Sequence, residues 1–301
     1  MTRHIARWLV AVILFAASLG AAAQVMELAS GQRSATLENI RQRGAIVVGV
    51  KADYPPFGTR DATNHWEGLE LDMARALADR LGVRLRLVPV TGANRLQRLE
   101  EGTVDVLIAT MGDTAERRRV ATIVEPNYYA SGVTLMVRPE TRLRDWAELR
   151  GHTVCAVQGS YFNRPMSQRH LLTLLNFNTA RDARLALRDG RCIGYLFDNT
   201  AIWADLRGPA WAGYHAPLAP AMVVPWAVAL ARHEAGSVLE RWLGDLLAEW
   251  HRNGFLQERE RAWGLPASSF LAGERVRWMA VADDGQPVWR RGQDGQWPAT
   301  C

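Results

Sequence analysis

Several features that would indicate a particular function are scarce in this sequence. Lys51 is the only lysine among 36 lysine and arginine residues, and like charges form no block. Proteins that bind nucleic acids concentrate their basic residues on one face, so we expect no nucleic acid partner. The three cysteines and seven histidines form no cluster with the spacing of metal ligands. We therefore expect neither a metal nor another cofactor.

Long apolar runs are also scarce, except near the N-terminus. Arg3 and Arg7 precede an apolar stretch at residues 8–19 that is short for a membrane span, and residues 21–23 are a small-residue cleavage site. We predict a signal peptide over residues 1–23 and a periplasmic location after its removal. The alternative, a single-pass anchor, has no stop-transfer pattern to support it. Removing the two arginines lowers the formal net charge from +5 to +3.

Short apolar runs alternate with helical patterns in the first part of the chain. The predicted strands are residues 45–50, 84–90 and 104–109, and the predicted helices between them are residues 71–81 and 95–101. This order is typical of a doubly wound parallel sheet. Ligands of such sheets bind beyond the carboxyl ends of the strands. The loops at residues 51–57, 91–95 and 110–117 all lie at that edge.

The same pattern recurs later in the chain. The predicted strands are residues 153–157, 174–177 and 193–197, and two extended runs at residues 128–137 and 223–232 flank this second unit. We predict an α/β protein with two doubly wound parallel-sheet lobes joined by two hinge crossings. The predicted boundaries are residues 37–128 with 226–270 for lobe 1, 133–222 for lobe 2, and 271–301 for a C-terminal extension. An Asp-Gly turn at residues 284–285 predicts a hairpin there, and we expect most of this extension to be solvated.

Cysteine usage fits an exported protein with one disulfide bond. Cys155 and Cys192 lie early in the first and third predicted strands of lobe 2, which are neighbours in a 2-1-3 order. We therefore predict that they pair, with two small buried thiols as the alternative, and that Cys301 is left over.

The turn after the third strand is a candidate anion site. Asp113 or Thr114 can cap a short helix that carries Arg117. Helix N-termini that follow a strand in α/β sheets bind anions, and an arginine one turn later can hold a carboxylate. On these residues alone, a solvated arginine beside Arg118 and Arg119 is the simpler interpretation.

Seven segments favour a carboxylate-binding role for Arg117 over a solvated arginine, because together they match one protein family in order. They are Y-P-P-F-G (54–58), G-L-E-L-D (68–72), N-R-L-Q-R-L-E-E-G-T-V-D-V (94–106), A-T-M-G-D-T-A-E-R (109–117), E-P-N-Y-Y-A-S-G (125–132), V-Q-G-S (157–160) and G-R-C-I-G-Y-L-F-D-N (190–199). The chain resembles the polar amino-acid-binding proteins of ABC importers, the periplasmic Venus-flytrap type. The resemblance runs from about residue 37 to about residue 270.

The resemblance implies that the α-carboxylate of an amino acid binds in the cleft between the lobes. Arg117 matches the arginine that grips this carboxylate. Backbone N–H groups near Thr110 and Gly112, and the helix start at Ser160, are expected to assist it.

The resemblance also places the ligand's other groups. Asp198 matches the carboxylate that receives the α-ammonium, and Tyr54 matches the aromatic residue that packs on the ligand. A zwitterion needs one fixed cation and one fixed anion, and charge-assisted hydrogen bonds stabilise each by about 1.5–3 kcal/mol. The structural alternative for Asp198 is an N-cap of the helix that follows it.

Two positions depart from the family's usual pattern. Gly112 stands where a serine or threonine is usual, so one hydroxyl group to the carboxylate is missing. Tyr161 and Phe162 follow Ser160 where a second hydroxyl residue and a polar residue are common.

Ligand specificity depends on two basic residues. Lys51 and Arg95 match positions that hold arginines in acidic-amino-acid binders of the family, which favours glutamate or aspartate. Arg95 has a structural alternative as part of its turn, and Gly92, where those binders carry serine, counts against the acidic interpretation. If the two cations paired with Asp53 and Asp113, the pocket would be neutral and would give no reason to prefer an acidic ligand.

We therefore expect a monomeric binding protein, not an enzyme, that delivers an amino acid to an inner-membrane ABC permease. The alternative from the enzyme class is a cyclohexadienyl or arogenate dehydratase on the same fold. It needs a general acid in the cleft, and among the carboxylates on the pocket loops we identify only Asp53, Asp113 and Asp198. A third possibility is a ligand-sensing protein that acts through a partner.

Overall fold

The computed structural model describes residues 33–283, 285–289 and 297. The predicted signal peptide and Cys301 lie outside the described residues. Within the described part of the chain, no helix is both long and apolar enough to cross a bilayer.

The described strands form one large sheet and one small one. The strands are β1 Ala45–Val50, β2 Asp53–Tyr54, β3 Gly58–Arg60, β4 Trp66–Glu67, β5 Arg84–Pro89, β6 Val106–Leu107, β7 Ala121–Val137, β8 Thr153–Val157, β9 Thr173–Phe177, β10 Gly194–Asp198 and β11 Ala221–Ala231. The large sheet has eight strands in the order β5-β1-β6-β11-β7-β10-β8-β9, and β2, β3 and β4 form a separate antiparallel sheet.

Helices pack against strands in both halves of the large sheet. They are α1 Ala35–Arg43, α2 Leu69–Leu81, α3 Arg95–Glu100, α4 Ala115–Arg118, α5 Asn163–His170, α6 Ala180–Arg188, α7 Asn199–Leu206, α8 Val238–Asn253, α9 Phe255–Ala262 and α10 Ser269–Met279. Short 3-10 helices occur at Trp146–Leu149, Pro209–Trp211 and Arg232–Glu234.

The sheet topology confirms the predicted fold class. In the half that we call lobe 1, β1 pairs in parallel with both β5 and β6. In the other half, lobe 2, β8 pairs in parallel with both β9 and β10. Each half therefore has the 2-1-3 order of a doubly wound unit. The long strands β7 and β11 run antiparallel to each other between the halves and are the two predicted crossings.

The predicted disulfide bond is present. Cys155 in β8 and Cys192, just before β10, are bonded, with their Cα atoms 5.6 Å apart. The pairing links two neighbouring strands of lobe 2.

Several predicted elements differ from the structure; β7, for example, begins at Ala121 and not at residue 128. The strand predicted at residues 104–109 is only Val106–Leu107, although backbone hydrogen bonds to β1 continue at Asp105 and Ile108. The hairpin predicted in the extension is reduced to a bridge between Val281 and Pro287, because the preceding residues form α10, which Ser268 caps. The expectation that this extension is merely solvated is wrong for α10, since Trp278 is only 3% exposed.

Candidate ligand-binding site

Most of the predicted site residues lie around one cavity between the lobes. Its volume is about 20 Å³, which is enough for about one water molecule. Six predicted residues line it: Lys51, Tyr54, Arg95, Thr110, Ser160 and Asp198. Arg117 lies apart from these, in a larger outer groove that shares the turn at residues 158–161 with the cavity. The structure therefore brings the predicted residues to one cleft but divides them between two chambers.

Asp198 is the acidic group of the cavity, at the end of β10. Its side chain is buried, and Oδ2 accepts a hydrogen bond from the Tyr54 hydroxyl at 2.6 Å. Oδ1 has no partner among the described residues. Burial raises the pKa of Asp198 to about 7, and the Tyr54 hydroxyl, Arg95 and Arg117 oppose that rise. Although Asp198 occupies the N-cap position of α7, its side chain makes no capping hydrogen bond.

Tyr54 orients this carboxylate. The ring is buried, 4.9 Å from the Phe197 ring and 5.8 Å from the Phe57 ring. Because the hydroxyl donates to Asp198 across the cleft, Tyr54 joins lobe 1 to lobe 2 at the cavity.

Arg117 is held in place by backbone carbonyl groups. Of the two predicted capping residues, Thr114 and not Asp113 caps α4. Nη1 of Arg117 donates to the Gly112 carbonyl at 2.8 Å, and Nη2 donates to the Gly159 carbonyl of lobe 2 at 3.0 Å. Burial, followed by repulsion from Arg95, lowers its pKa to about 9. The guanidinium remains charged at neutral pH and bridges the two lobes.

Glu70 is a site residue that the sequence analysis did not identify. It is fully buried in α2, and Oε1 accepts hydrogen bonds from the Tyr128 hydroxyl and, at 2.6 Å, from the Thr110 N–H. Burial raises its pKa to about 7, with Arg95 opposing. Glu70 lies just before the helix predicted at residues 71–81, whereas the observed helix begins at Leu69 and includes it. The Thr110 N–H, expected to assist a ligand carboxylate, is instead used by Glu70.

Arg95 uses only part of its hydrogen-bonding capacity within the protein. Its side chain is buried, and Nη1 donates to the carbonyl groups of Ala109 at 2.5 Å and Thr110 at 3.2 Å. Nε has no partner among the described residues. The structural alternative therefore accounts for part of this guanidinium, while another part lacks a partner.

Lys51 is neutralised by a neighbouring carboxylate. Its Nζ lies 2.9 Å from Oδ1 of Asp53. Oδ2 of Asp53 accepts from the backbone N–H of Ala180 at 2.8 Å, at the start of α6 in lobe 2. The pairing that would remove the acidic argument is therefore present at Lys51. Asp113, by contrast, pairs with Arg118 and not with Arg95.

Ser160 does not begin a helix. Its N–H bonds to the Val157 carbonyl at 3.3 Å within a turn, and α5 begins at Asn163. The helix predicted to start at Ser160 thus begins at Asn163, and Ser160 lines the cavity from the turn that precedes it.

Close contact between the lobes explains two unusual glycines. A Cβ atom on Gly112 would lie 2.9 Å from Cδ1 of Tyr161, and one on Gly92 would lie 2.6 Å from the Gln158 carbonyl oxygen. The departures at positions 112 and 161 are therefore one structural feature, since the glycine makes room for the tyrosine ring.

Comparison with known proteins identifies related binding proteins. The model of the family described as bacterial extracellular solute-binding proteins, family 3, matches residues 46–266. The glutamine-binding protein of Geobacillus stearothermophilus is 30% identical over 174 residues, which cover 56% of this chain and 66% of that protein. The glutamate/aspartate import solute-binding protein of Escherichia coli is 22% identical over 204 residues, which cover 64% of this chain and 67% of that protein.

Solved structures share the fold. The solute receptor for L-cysteine of Neisseria gonorrhoeae has 25% identity and a TM-score of 0.71, and the match covers 76% of this chain and 93% of that one. An ancestral amino acid-binding protein, described as a precursor of cyclohexadienyl dehydratase, has 22% identity and a TM-score of 0.68, covering 76% of this chain and 99% of that one. At that identity, the second likeness concerns the fold alone.

Proposed function

This chain belongs to the bacterial extracellular solute-binding proteins of family 3, and we propose that it captures an amino acid between its lobes and delivers it to an ABC permease. In this proposal it acts in the periplasm as a monomer. The lobes separate and close by movement at β7 and β11, the two strands that connect them.

One observation carries the proposal. Two buried side chains of opposite charge line the same cavity, and each has an atom without a partner among the described residues: Oδ1 of Asp198, an acceptor, and Nε of Arg95, a donor. Unsatisfied buried polar atoms are costly. An amino acid carries an ammonium group that can pair with Asp198 and at least one carboxylate group that can pair with the arginines of the cleft.

We assign the ligand's α-ammonium to Asp198 and its α-carboxylate to Arg117. Asp198 is oriented by Tyr54, and Arg117 by the carbonyl groups of Gly112 and Gly159. These bonds position both charged groups before the ligand arrives, which limits the loss of side-chain entropy on binding.

We further propose that the ligand's side chain is acidic, and this preference rests on Arg95. The charge of Lys51 is already offset by Asp53. Glu70 attracts Arg95, but burial raises the pKa of this carboxyl and favours its neutral form. Arg95 therefore retains an excess of positive charge that a side-chain carboxylate would offset.

A thermal-shift panel of the twenty amino acids, followed by calorimetric titration, tests the proposal. We expect aspartate or glutamate to give the largest shift, and Arg95→Leu to remove that preference. Arg98→Leu is the matched control, since Arg98 lies on the same helix but does not line the cavity. Absence of binding by any amino acid refutes the transport function. An unchanged ranking in Arg95→Leu refutes the acidic assignment only.

A second candidate function, dehydration of a cyclohexadienyl acid, is favoured by one observation. Asp198 is a cavity carboxyl whose pKa is raised to about 7, as a general acid requires. The unpartnered Oδ1 is the atom that would deliver the proton. A turnover assay separates this function from transport.

A further inference from the structure

Asp53 makes a hydrogen bond that crosses from lobe 1 to lobe 2. Its Oδ2 atom accepts from the backbone N–H of Ala180 at 2.8 Å. Asp53 belongs to β2, and the loop after β2 is tied to lobe 1 by the bond from the Leu69 N–H to the Pro56 carbonyl at 3.0 Å. Ala180 begins α6, which packs against β8, β9 and β10 of lobe 2. Separation of the lobes therefore breaks this bond.

The surroundings of both atoms favour the bond. Nζ of Lys51 lies 2.9 Å from Oδ1 of Asp53 and holds the carboxylate in place from its own lobe. Thr179 caps another N–H group in the first turn of α6, so the Ala180 N–H remains available to a group outside the helix. A helix N-terminus carries partial positive charge and attracts a carboxylate. Arg184, one turn further along α6, also attracts Asp53.

The bond lies beside the ligand site and not in it. Asp53 and Ala180 are not among the described residues that line the cavity, and the Asp53 side chain is 22% exposed. Two other bonds between the lobes involve Asp198 and Arg117, to which we assign the ligand's ammonium and carboxylate groups. A ligand therefore changes the surroundings of those two bonds, whereas the Asp53 bond involves no group that we assign to the ligand.

We propose that Asp53 is a latch, by which we mean that its bond to α6 stabilises the closed lobes and slows release of the bound amino acid without touching it. The inference rests on the proposed function, because it concerns closure around that ligand. Entry of an amino acid requires the lobes to part, since the side chains of Lys51, Arg95 and Asp198 are each at most 5% exposed. The bond is broken during entry and intact in the closed form, so it acts on dissociation more than on association.

Ala180→Pro removes the donor of this bond and is compatible with α6. Proline is favoured at the first position of a helix, because the N–H that it lacks has no partner within the helix. The residue before a proline has to be extended, and Thr179 already has φ −123° and ψ 152°. The proline ring also occupies the position of the missing hydrogen, so Asp53 cannot approach as closely. The ion pair of Lys51 with Asp53 is left in place.

Stopped-flow tryptophan fluorescence gives the rate constants, and calorimetric titration gives the Kd. The probe is L-glutamate or, if glutamate does not bind, the standard amino acid that binds the wild-type protein most tightly. We expect Ala180→Pro to release the probe about tenfold faster, as for a carboxylate at a helix N-terminus, with an association rate constant within about twofold of wild type. A bond that only stabilised α6 would lower the Tm and leave both rate constants unchanged. Wild-type dissociation, or an effect confined to association, overturns the inference.

A matched control makes the same substitution at the same position of another helix. Ala35 begins α1 in lobe 1, follows the capping residue Ser34 and is exposed. Ala35→Pro is expected to keep the wild-type rate constants and Kd. Equally fast release in this control would attribute the effect to proline in general and overturn the inference.

A double-mutant cycle with Asp53→Asn assigns the effect to the pair. Asp53→Asn alone also removes the counter-ion of Lys51, so the cycle is more informative than this single variant. If Asp53 and Ala180 act through one bond, Ala180→Pro should accelerate release less in the Asp53→Asn protein than in the wild type. Fully additive effects overturn the inference.

A second pair of variants serves if Ala180→Pro does not fold. Lys51→Met removes the buried cation first, and Asp53→Asn is then added to it. We expect the added change to accelerate release about threefold, because asparagine can still accept the bond but lacks the charge. No acceleration overturns the inference.

The outcomes separate this inference from the proposed function. If no amino acid binds the wild-type protein, both fail together. If an amino acid binds and Ala180→Pro releases it at the wild-type rate, the latch alone is wrong.

Discussion

Asp198→Asn is expected to stabilise the ligand-free protein while it abolishes tight binding. Burial raises the pKa of Asp198 from 3.8 to about 7. Because the folded protein binds this proton more tightly than the unfolded chain, its stability falls as the pH rises between these two values. Each pKa unit corresponds to about 1.4 kcal/mol, so at pH 8 the charge costs the folded state on the order of 4 kcal/mol.

Asparagine keeps the shape of this side chain and can still accept from Tyr54, but it carries no charge. We therefore expect Asp198→Asn to raise the Tm at pH 8 by several degrees, since a large domain gains about 2–4 °C per kcal/mol. At pH 4 the wild-type carboxyl is largely protonated in the folded state, so the two proteins should differ little there. Scanning calorimetry at both pH values, on protein freed of ligand by unfolding and refolding, measures the difference.

The same substitution should weaken amino-acid binding. Truncating one partner of a buried charge pair costs about 2–5 kcal/mol, which corresponds to roughly 30-fold to 5,000-fold in Kd. Asp205→Asn is the control for binding, because Asp205 is a buried carboxylate in α7, the helix that follows Asp198, and it pairs with Arg184 instead of lining the cavity. Unchanged affinity in Asp198→Asn would remove Asp198 from the ligand site. A lower Tm at pH 8 would show that its charge is structural.

Three further predictions concern the arginine, the chemistry and the disulfide bond. Arg117→Ala should abolish amino-acid binding in calorimetric titration without unfolding the protein, and wild-type affinity would exclude the arginine from the site. Steady-state assays with prephenate and arogenate should show no turnover, because we assign Asp198 to the ligand's ammonium group. A rate well above background would favour the enzyme. The Cys155→Ala/Cys192→Ala variant should lose about 4 kcal/mol in urea unfolding, given a sequence separation of 37 residues. An unchanged midpoint and slope would show that the bond contributes nothing to stability.

The fold was predictable because its determinants are local. The apolar runs at Ala45–Val50 and Thr153–Val157 became strands with the predicted bounds. Each run is flanked by a helical pattern, and alternation of this kind leaves few arrangements besides a doubly wound sheet. The pairing of Cys155 with Cys192 followed from the same order of strands.

The electrostatics of the site were much less predictable, because they depend on contacts between the lobes. The ion pair of Lys51 with Asp53 is anchored by Ala180, which is far away in sequence. Glu70 sits in an apolar helical pattern whose buried face gave no indication of a partner at Tyr128 or Thr110. Motif comparison identifies which residues face a cleft but not how their charges are already offset.

The C-terminal extension shows a different limit of prediction from the sequence. The Asp-Gly signal correctly marked a turn, with Gly285 at a φ of +74°, but a turn does not specify what precedes it. The preceding segment became helix α10, whose buried residues Leu271 and Trp278 are seven positions apart and share one face. Strand and helix are hard to separate in a short segment with so few apolar positions.

Burial shifts the pKa values of the charged groups in the cleft so that the neutral form of each group is favoured. Burial raises the pKa of both Asp198 and Glu70 to about 7 and lowers that of Arg117 to about 9, so each group is pushed toward its neutral form. An ammonium group beside Asp198 favours the charged carboxylate and lowers its pKa. Ligand binding between pH 6 and 7 should therefore release a proton from Asp198, and affinity should rise with pH until this carboxyl is ionised in the ligand-free protein. In the proposed complex, the ligand's ammonium group offsets the free-energy cost of burying the Asp198 carboxylate, so we expect the closed form of the lobes to be favoured mainly when the ligand is bound.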